Sequence, residues 1–224
     1  MRDAFQAQLK ELHEEIYNMG ALCEEAISTA VKAFVDKDAE LTKRTAGLEG
    51  KIERKNQDIE NLCLRLLMLQ TPVASDLRHV STALHIINDL KRIGDQAEDI
   101  AELVPFIGGV PEEHNAEKLK HAVHQMGIAT VNMVSGATEA FLKEDTKLAE
   151  KVISADDTVD HWFHEVKVDL IHEMTKPDIS EKESETFVNL LMIDKYLERI
   201  GDHSVNVAEW VRWSVDGKMF QSHE

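Results

Sequence analysis

LKRIGDQAEDIAE, Leu90–Glu102, and LERIGDHSVNVAE, Leu197–Glu209, are two copies of one stretch. Leu90/Leu197, Arg92/Arg199, Ile93/Ile200, Gly94/Gly201, Asp95/Asp202, Ala101/Ala208 and Glu102/Glu209 are identical pairs, always 107 residues apart. The same shift relates Met19-Gly20 to Met126-Gly127, Phe34 to Phe141, Asp38 to Asp145, Leu41 to Leu148 and Ile52 to Val159. A shift that holds over most of the chain without an insertion marks an internal duplication. Whatever one half folds into, the other half repeats.

Each half reads as three amphipathic helices. Phe5, Leu9, Leu12, Ile16, Met19, Cys23, Ala26, Ile27 and Ala30 step by three and four, the spacing of one helical face. This predicts a first helix over about Asp3–Val35. A turn at Asp36–Asp38 follows, with Asp38 placed to cap a second helix that runs to about Gln70. Thr71-Pro72 ends that helix, because the residue before proline avoids the helical region. A third runs from near Val73 to just before Pro105. Ile107–Asn115, IGGVPEEHN, reads as the linker. The second half predicts helices over about Ala116–Leu142, Thr146–Thr175 and Glu181–Trp213, the last opened by a capping box at Ser180–Glu183. Short connections make each half an antiparallel three-helix bundle. The fold expected is all-α: a tandem duplication of two such bundles at residues 1–106 and 116–213, with linker 107–115 and a frayed tail over 214–224. Bundles about 40–50 Å long, at 1.5 Å per residue, make an elongated molecule with free lateral surfaces.

The chain has 224 residues and carries 42 acids against 25 Lys plus Arg, a net charge of −17. Such a field repels nucleic acid and anionic lipid and draws cations or basic protein surfaces. No stretch has the length and apolarity of a membrane span, and the N-terminus lacks a signal-peptide core. Cys23 and Cys63 fall in apolar helical patterns, the usage of buried thiols in a reducing compartment. The expected location is cytoplasmic, with no nucleic-acid partner and no direct membrane insertion.

Acids recur in columns. Asp95/Asp99 and Glu198/Asp202 lie on the repeated stretch, and Glu49/Glu53 and Asp156/Asp160 lie on the preceding helix of each half. Residues four apart share a helical face, where like charges repel unless a cation lies between them. Their heights agree. With the first hairpin turning at Pro72, residue 51, midway between Glu49 and Glu53, and residue 93, midway between positions 91 and 95, are each 21 residues from the turn. With the second turning near Asp178, the midpoints 158 and 200 differ by two residues, about 3 Å. Each half therefore sets four carboxylates along a groove open on one side. Such a groove suits Mg²⁺, Ca²⁺ or Mn²⁺; iron and zinc also take carboxylates, especially with imidazole. His164, one turn beyond Asp160, and His203, beside Asp202, are candidate additional ligands, as is Asn206. The alternative is a solvated charged face. Gly94 and Gly201 sit inside helices at a cost of about 1 kcal/mol each, which admits either close helix approach or room for an ion.

No catalytic constellation is present. GxSxG, GxxxxGK[ST] and HExxH are absent. So is Glu-x-x-His, the di-iron oxidase motif; Asp76-x-x-His79 and Asp169-x-x-His172 come nearest and do not match each other at the shift. Trp162, Trp210 and Trp213 read first as packing residues.

Taken together, MRDAFQAQLKEL, MGALCEEAI, CLRLLMLQTPVASDLRHV, NDLKRIGDQAEDIAE and LERIGDHSVNVAEWV resemble the PhoU family of bacterial phosphate-signalling proteins, over nearly the whole chain. The resemblance implies two tandem three-helix bundles and paired E(D)xxxD motifs that hold metal clusters, most often iron or zinc, on the bundle surface. Carried over, Asp156-x-x-x-Asp160 with Glu198-x-x-x-Asp202 matches fully. The first half departs: Lys91 stands where Glu198 has its counterpart, and Glu49-x-x-x-Glu53 ends in Glu. Asp95-x-x-x-Asp99 offers a ligand set shifted by one turn. The second bundle is expected to hold metal more strongly. The resemblance further implies a non-enzymatic cytoplasmic adaptor, a negative regulator of the phosphate-starvation response and of phosphate uptake. Its implied partners are the ATPase subunit of the phosphate ABC transporter and a phosphate sensor histidine kinase. A homodimer is a candidate assembly, suggested by the elongated shape and the tryptophans. The competing readings are a carboxylate-cluster metalloenzyme and a metal-buffering helical protein.

Overall fold

The six apolar-periodic segments are six helices. The computed structural model describes residues 2–69, 74–107 and 116–217. They are α1 Arg2–Asp36, α2 Ala39–Leu69, α3 Ala74–Leu103, α4 Ala116–Lys143, α5 Thr146–Met174 and α6 Glu181–Asp216, with a short 3-10 turn, Val104–Phe106, after α3. The predicted turn at Thr71-Pro72, residues 108–115 of the linker and residues 218–224 of the tail lie outside the described residues.

Local chemistry sets the helix ends. Asp38 accepts a hydrogen bond from the Glu40 amide at 2.9 Å. Asp145 accepts from Lys147 and Leu148 and caps α5. At α6, Ser180 Oγ accepts from the Glu183 amide while Glu183 accepts from the Ser180 amide, the reciprocal capping box that the sequence spells out. Lys37 and Glu144, equivalent positions in the two halves, both take left-handed backbone angles, φ 54° and 53°. Each lets the following amide close back on the helix just ended: Asp38 on Ala33 O and Asp145 on Ala140 O. The tail prediction needs correction. Helix α6 continues past Trp213 to Asp216, Ser214 is buried, and Gly217 at φ 67° ends the helix. A glycine accepts that angle at no steric cost.

Helices α1, α2 and α3 pack mutually, as do α4, α5 and α6. The bundles are not separate bodies with free flanks. Helix α1 packs along α4 and α3 along α6, and one contiguous cluster of buried apolar side chains runs through both halves. Helices α2 and α5 form the outer flanks. The seam between bundles repeats its own contacts. A Cβ on Gly20 would lie 2.6 Å from Thr138 Cγ2, and one on Gly127 would lie 2.7 Å from Val31 Cγ2. Gly20 maps to Gly127 and Val31 to Thr138 under the 107-residue shift. The duplicated units thus meet through a pseudo-two-fold contact, made close by two glycines inside helices.

On the α3–α6 side, Asp89 accepts from His203 Nδ1 at 2.9 Å and Asn206 Nδ2 at 3.3 Å. Trp210 stacks on His85 with ring centroids 3.9 Å apart and meets Trp213 edge-on. Trp210 therefore serves the seam within the chain. Cys23 and Cys63 are buried free thiols. Cys23 donates to the Leu90 carbonyl, and burial pushes the Cys63 thiol up to about 12.

Candidate metal grooves

The α5–α6 groove collects the four acids expected there. Gly201 lets α6 approach so closely that its missing Cβ would sit 3.0 Å from Asp156 Oδ1 and 3.3 Å from Val159 Cγ1. Close helix approach is what the structure shows for this glycine, with a carboxylate oxygen and a valine methyl as the touching atoms. Asp156 and Glu198 are half-buried, while Asp160 and Asp202 stand at the exposed lip. Burial raises the Asp156 carboxyl to about 6, and the charges of Asp160, Asp202 and Glu198 push in the same direction. Asp202 is raised by burial and by Glu198, with Lys195 pulling the other way. Lys195 pairs with Glu198 and lies 5.3 Å from the Phe163 ring centroid. Among the described residues, no three groove oxygens come within 4.8 Å of one another. The carboxylates hold the spread of groups that repel.

Helix α6 carries one further acid here that periodicity does not single out. Asp194, one turn before Glu198, is fully buried, and neither of its oxygens has a hydrogen-bond partner. Burial, and then Glu198, raises its carboxyl to about 8. Its counterpart in the first half is Ile87, a core residue.

The α2–α3 groove is built differently. Lys91 puts its ammonium 3.2 Å from Glu53 and 3.0 Å from Asp95. Burial disfavours that charge, yet Asp95 and Glu53 outweigh it and hold the Lys91 pKa above its usual value. Gln57 and Lys91 keep the Glu53 carboxyl below the ordinary range. A lysine thus occupies the position between carboxylates that a cation takes in such a groove. Gly94 faces Ile52, whose Cδ1 is 2.9 Å from where a Cβ would be. Asp99, of the ligand set shifted by one turn, feels the charge of Asp95 on its own helix. Asp99 shares its surroundings with Arg199 and Tyr196 of α6: burial and Glu102 raise its carboxyl, and Arg199 draws it down. The acid that senses Glu49 is Glu98, raised by burial first and Glu49 second. Glu98 escaped the repeat comparison because its counterpart is Val205.

The additional ligands also sort out. His203 and Asn206 point at Asp89 of α3 and are not in the α5–α6 groove. One residue of helix turns a side chain by about 100°, which carries His203 from the Asp202 column to the inter-bundle seam. His164 remains exposed one turn beyond Asp160.

A family model of the PhoU domain matches residues 16–104 and again residues 123–211, two copies displaced by the same interval as the repeated stretch. The chain belongs to the PhoU family. Each bundle is one PhoU domain, so the duplication is the family architecture. Curated relatives include the "phosphate-specific transport system accessory protein PhoU homolog" of Clostridium acetobutylicum, 30% identical over 97% of this chain and 96% of the relative. The Pseudomonas aeruginosa protein of that name is 30% identical over 95% of this chain and 86% of its own length. Among solved structures, PhoU from Pseudomonas aeruginosa superposes with a TM-score of 0.87 at 30% identity, covering 96% of this chain and 100% of that one. The phosphate transport system regulatory protein PhoU from Streptococcus pneumoniae gives 0.85 at 27% identity, covering 97% and 99%. These PhoU relatives are named as accessory and regulatory proteins, not enzymes. Among the described residues, no helix is long and apolar enough to cross a membrane.

Proposed function

We propose that this chain is an accessory regulator of phosphate transport that restrains phosphate uptake and the phosphate-starvation response by bridging the transporter's ATPase subunit and a sensor histidine kinase. The observation that carries this reading is the double PhoU-domain match across most of the chain, beside relatives named for accessory work in phosphate-specific transport. The net charge of −17 suits an adaptor that docks on basic protein surfaces. The test is complementation in a bacterium that lacks its own accessory protein. This chain should restore repression of phosphate uptake in phosphate-replete medium and co-purify with the ATPase and the kinase. Unrepressed uptake with no co-purification would reject it.

The α5–α6 groove is the proposed metal centre of that adaptor. Asp156, Asp160, Glu198 and Asp202 fit a cation by chemistry, since two half-buried and two exposed carboxylates repel one another, with Lys195 and His203 opposing the charge at Asp202. The ion would supply the neutralising charge and pin α5 to α6. With His203 and Asn206 engaged elsewhere, the donors are four carboxylates with His164 one turn beyond Asp160, a set that suits hard ions such as Mg²⁺, Ca²⁺, Mn²⁺ or ferric iron and, with the imidazole, zinc. The α2–α3 groove already contains its cation, Lys91. Two metal analyses test this asymmetry. Asp160→Ala with Asp202→Ala should remove most of the metal that purified protein retains, and unchanged content would refute the site. Lys91→Glu should raise the metal content per chain by opening the first groove; no rise would show that Lys91 is not what excludes an ion there.

A further inference from the structure

At one end of the inter-bundle seam, three ligand-type side chains from three separate elements converge. His13 comes from α1, His79 from the first turns of α3, and Glu144 from the left-handed residue after α4. Each offers a donor atom, and the three atoms all lie within 4.8 Å of one another. His13 is only 7% exposed, His79 is half-buried and Glu144 is exposed. Neither His13 Nε2 nor His79 Nδ1 has a hydrogen-bond partner, although both atoms are buried. The imidazole centroids are 5.8 Å apart at a 48° tilt, and the Phe141 ring backs His13 at 4.6 Å.

Buried polar atoms are satisfied in folded proteins as a rule, and exceptions call for an explanation. Here two orphaned imidazole nitrogens fall beside one another and beside a carboxylate. We propose that His13, His79 and Glu144 form a binding site for a zinc-type divalent transition-metal ion, distinct from the acidic grooves. Two imidazoles and one carboxylate are a ligand set such ions accept, with a fourth position left to water on the exposed Glu144 side. Metal–nitrogen bonds of about 2.0–2.1 Å require the side chains to close in from their present separations. The half-buried histidine and the exposed glutamate are free to do this. Burial, reinforced by His79, keeps the His13 ring pKa near 4, so its lone pair is available at neutral pH.

The site does not follow the duplication. The equivalent positions are Lys120, Thr186 and Lys37, and Lys37 and Lys120 line the small cavity at the other end of the seam. One end of the seam is set up to take a cation and the other carries cations of its own. An ion held by His13, His79 and Glu144 would tie α1 and α3 of the first bundle to the α4–α5 turn of the second.

Metal-free, full-length protein titrated with Zn²⁺ tests the site, alongside His79→Gln, Glu144→Gln and the groove variant Asp160→Asn/Asp202→Asn. Wild type and the groove variant should both bind an ion that moves the His13 and His79 ring resonances in NMR, raises the melting temperature and, with Co²⁺ in place of Zn²⁺, gives the visible band of tetrahedral ligation. His79→Gln and Glu144→Gln should weaken that binding by at least about tenfold, the lower end of what even outer-shell partners contribute. Glu144 is exposed, so its variant keeps the test open if a histidine variant fails to fold. Ring resonances indifferent to Zn²⁺, equal affinity in wild type and both ligand variants, or loss of the ion in the groove variant alone would overturn the proposal.

Discussion

At pH 7, Asp194→Asn raises the stability of this protein by about 3–5 kcal/mol, and the gain fades as the pH falls toward 4. Asp194 is wholly buried, both carboxylate oxygens lack partners, and its carboxyl is raised to about 8. An aspartate in the unfolded chain titrates near 3.9. The folded state therefore keeps a proton that the unfolded state surrenders over that interval. A group whose folded pKa is raised contributes stability that is complete below the unfolded pKa and is lost as pH climbs through the folded one. Each pH unit in the window removes about 1.4 kcal/mol, and about three units separate 3.9 from 7. Asparagine has nearly the same shape and no such titration. It exchanges a buried carboxyl for a buried amide with one more donor, which offsets part of the gain, and removes the pH-dependent loss. Urea unfolding of both proteins at pH 4 and pH 7 measures this; a difference that is the same at both pH values would refute it.

Gly20→Val combined with Gly127→Val is the second large effect, in the opposite direction. The two seam glycines would bring their new Cβ atoms to 2.6 and 2.7 Å from Thr138 and Val31 methyls, inside any acceptable contact. Overpacking costs about 1–3 kcal/mol per site, and the better helix propensity of valine recovers only part of that. The pair should lose about 2–5 kcal/mol, short of strict additivity because both sites act on one seam. Gly47→Ala and Gly50→Ala are the matched controls. Both glycines lie inside α2 with nothing within 4 Å of a new Cβ, so each should gain about 0.5–1 kcal/mol. Urea unfolding separates the outcomes: equal stability changes for seam and control glycines would mean that the close approach of α1 to α4 is not energetically decisive.

Helix count, the hairpin pattern, the duplication and the caps at Asp38 and Ser180 were all legible in the residues. They depend on spacing within one helix or on local hydrogen bonds. The groove acids were legible because hairpin arithmetic fixes height, and height together with face puts Asp156 against Gly201. What spacing does not carry is the docking of one bundle on the other. Ala26, Ala30 and Ala33 are as buried as Ile16 or Phe34, so α1 is covered on more than one face. A periodicity reading asks only for the strongest face. The seam glycines held the clue, since Met19-Gly20 and Met126-Gly127 recur together, but a recurring glycine does not name the helix it touches. His203 was misplaced for the same reason: adjacency to Asp202 in sequence says nothing of α3, which claims it. Asp194, Glu98 and the His13, His79, Glu144 group lie where the halves differ, and comparison of the copies is silent there.

The lysine in the first groove has a consequence for how partners count this molecule. A body with two-fold symmetry presents every surface twice, so an adaptor built from two equal domains would recruit its partners in pairs or bind them in either orientation. Lys91, paired with Glu53 and Asp95, makes one flank chemically closed while Asp156, Asp160, Glu198 and Asp202 leave the other open. A partner that recognised the acidic α5–α6 flank would have one seat per chain and one way round.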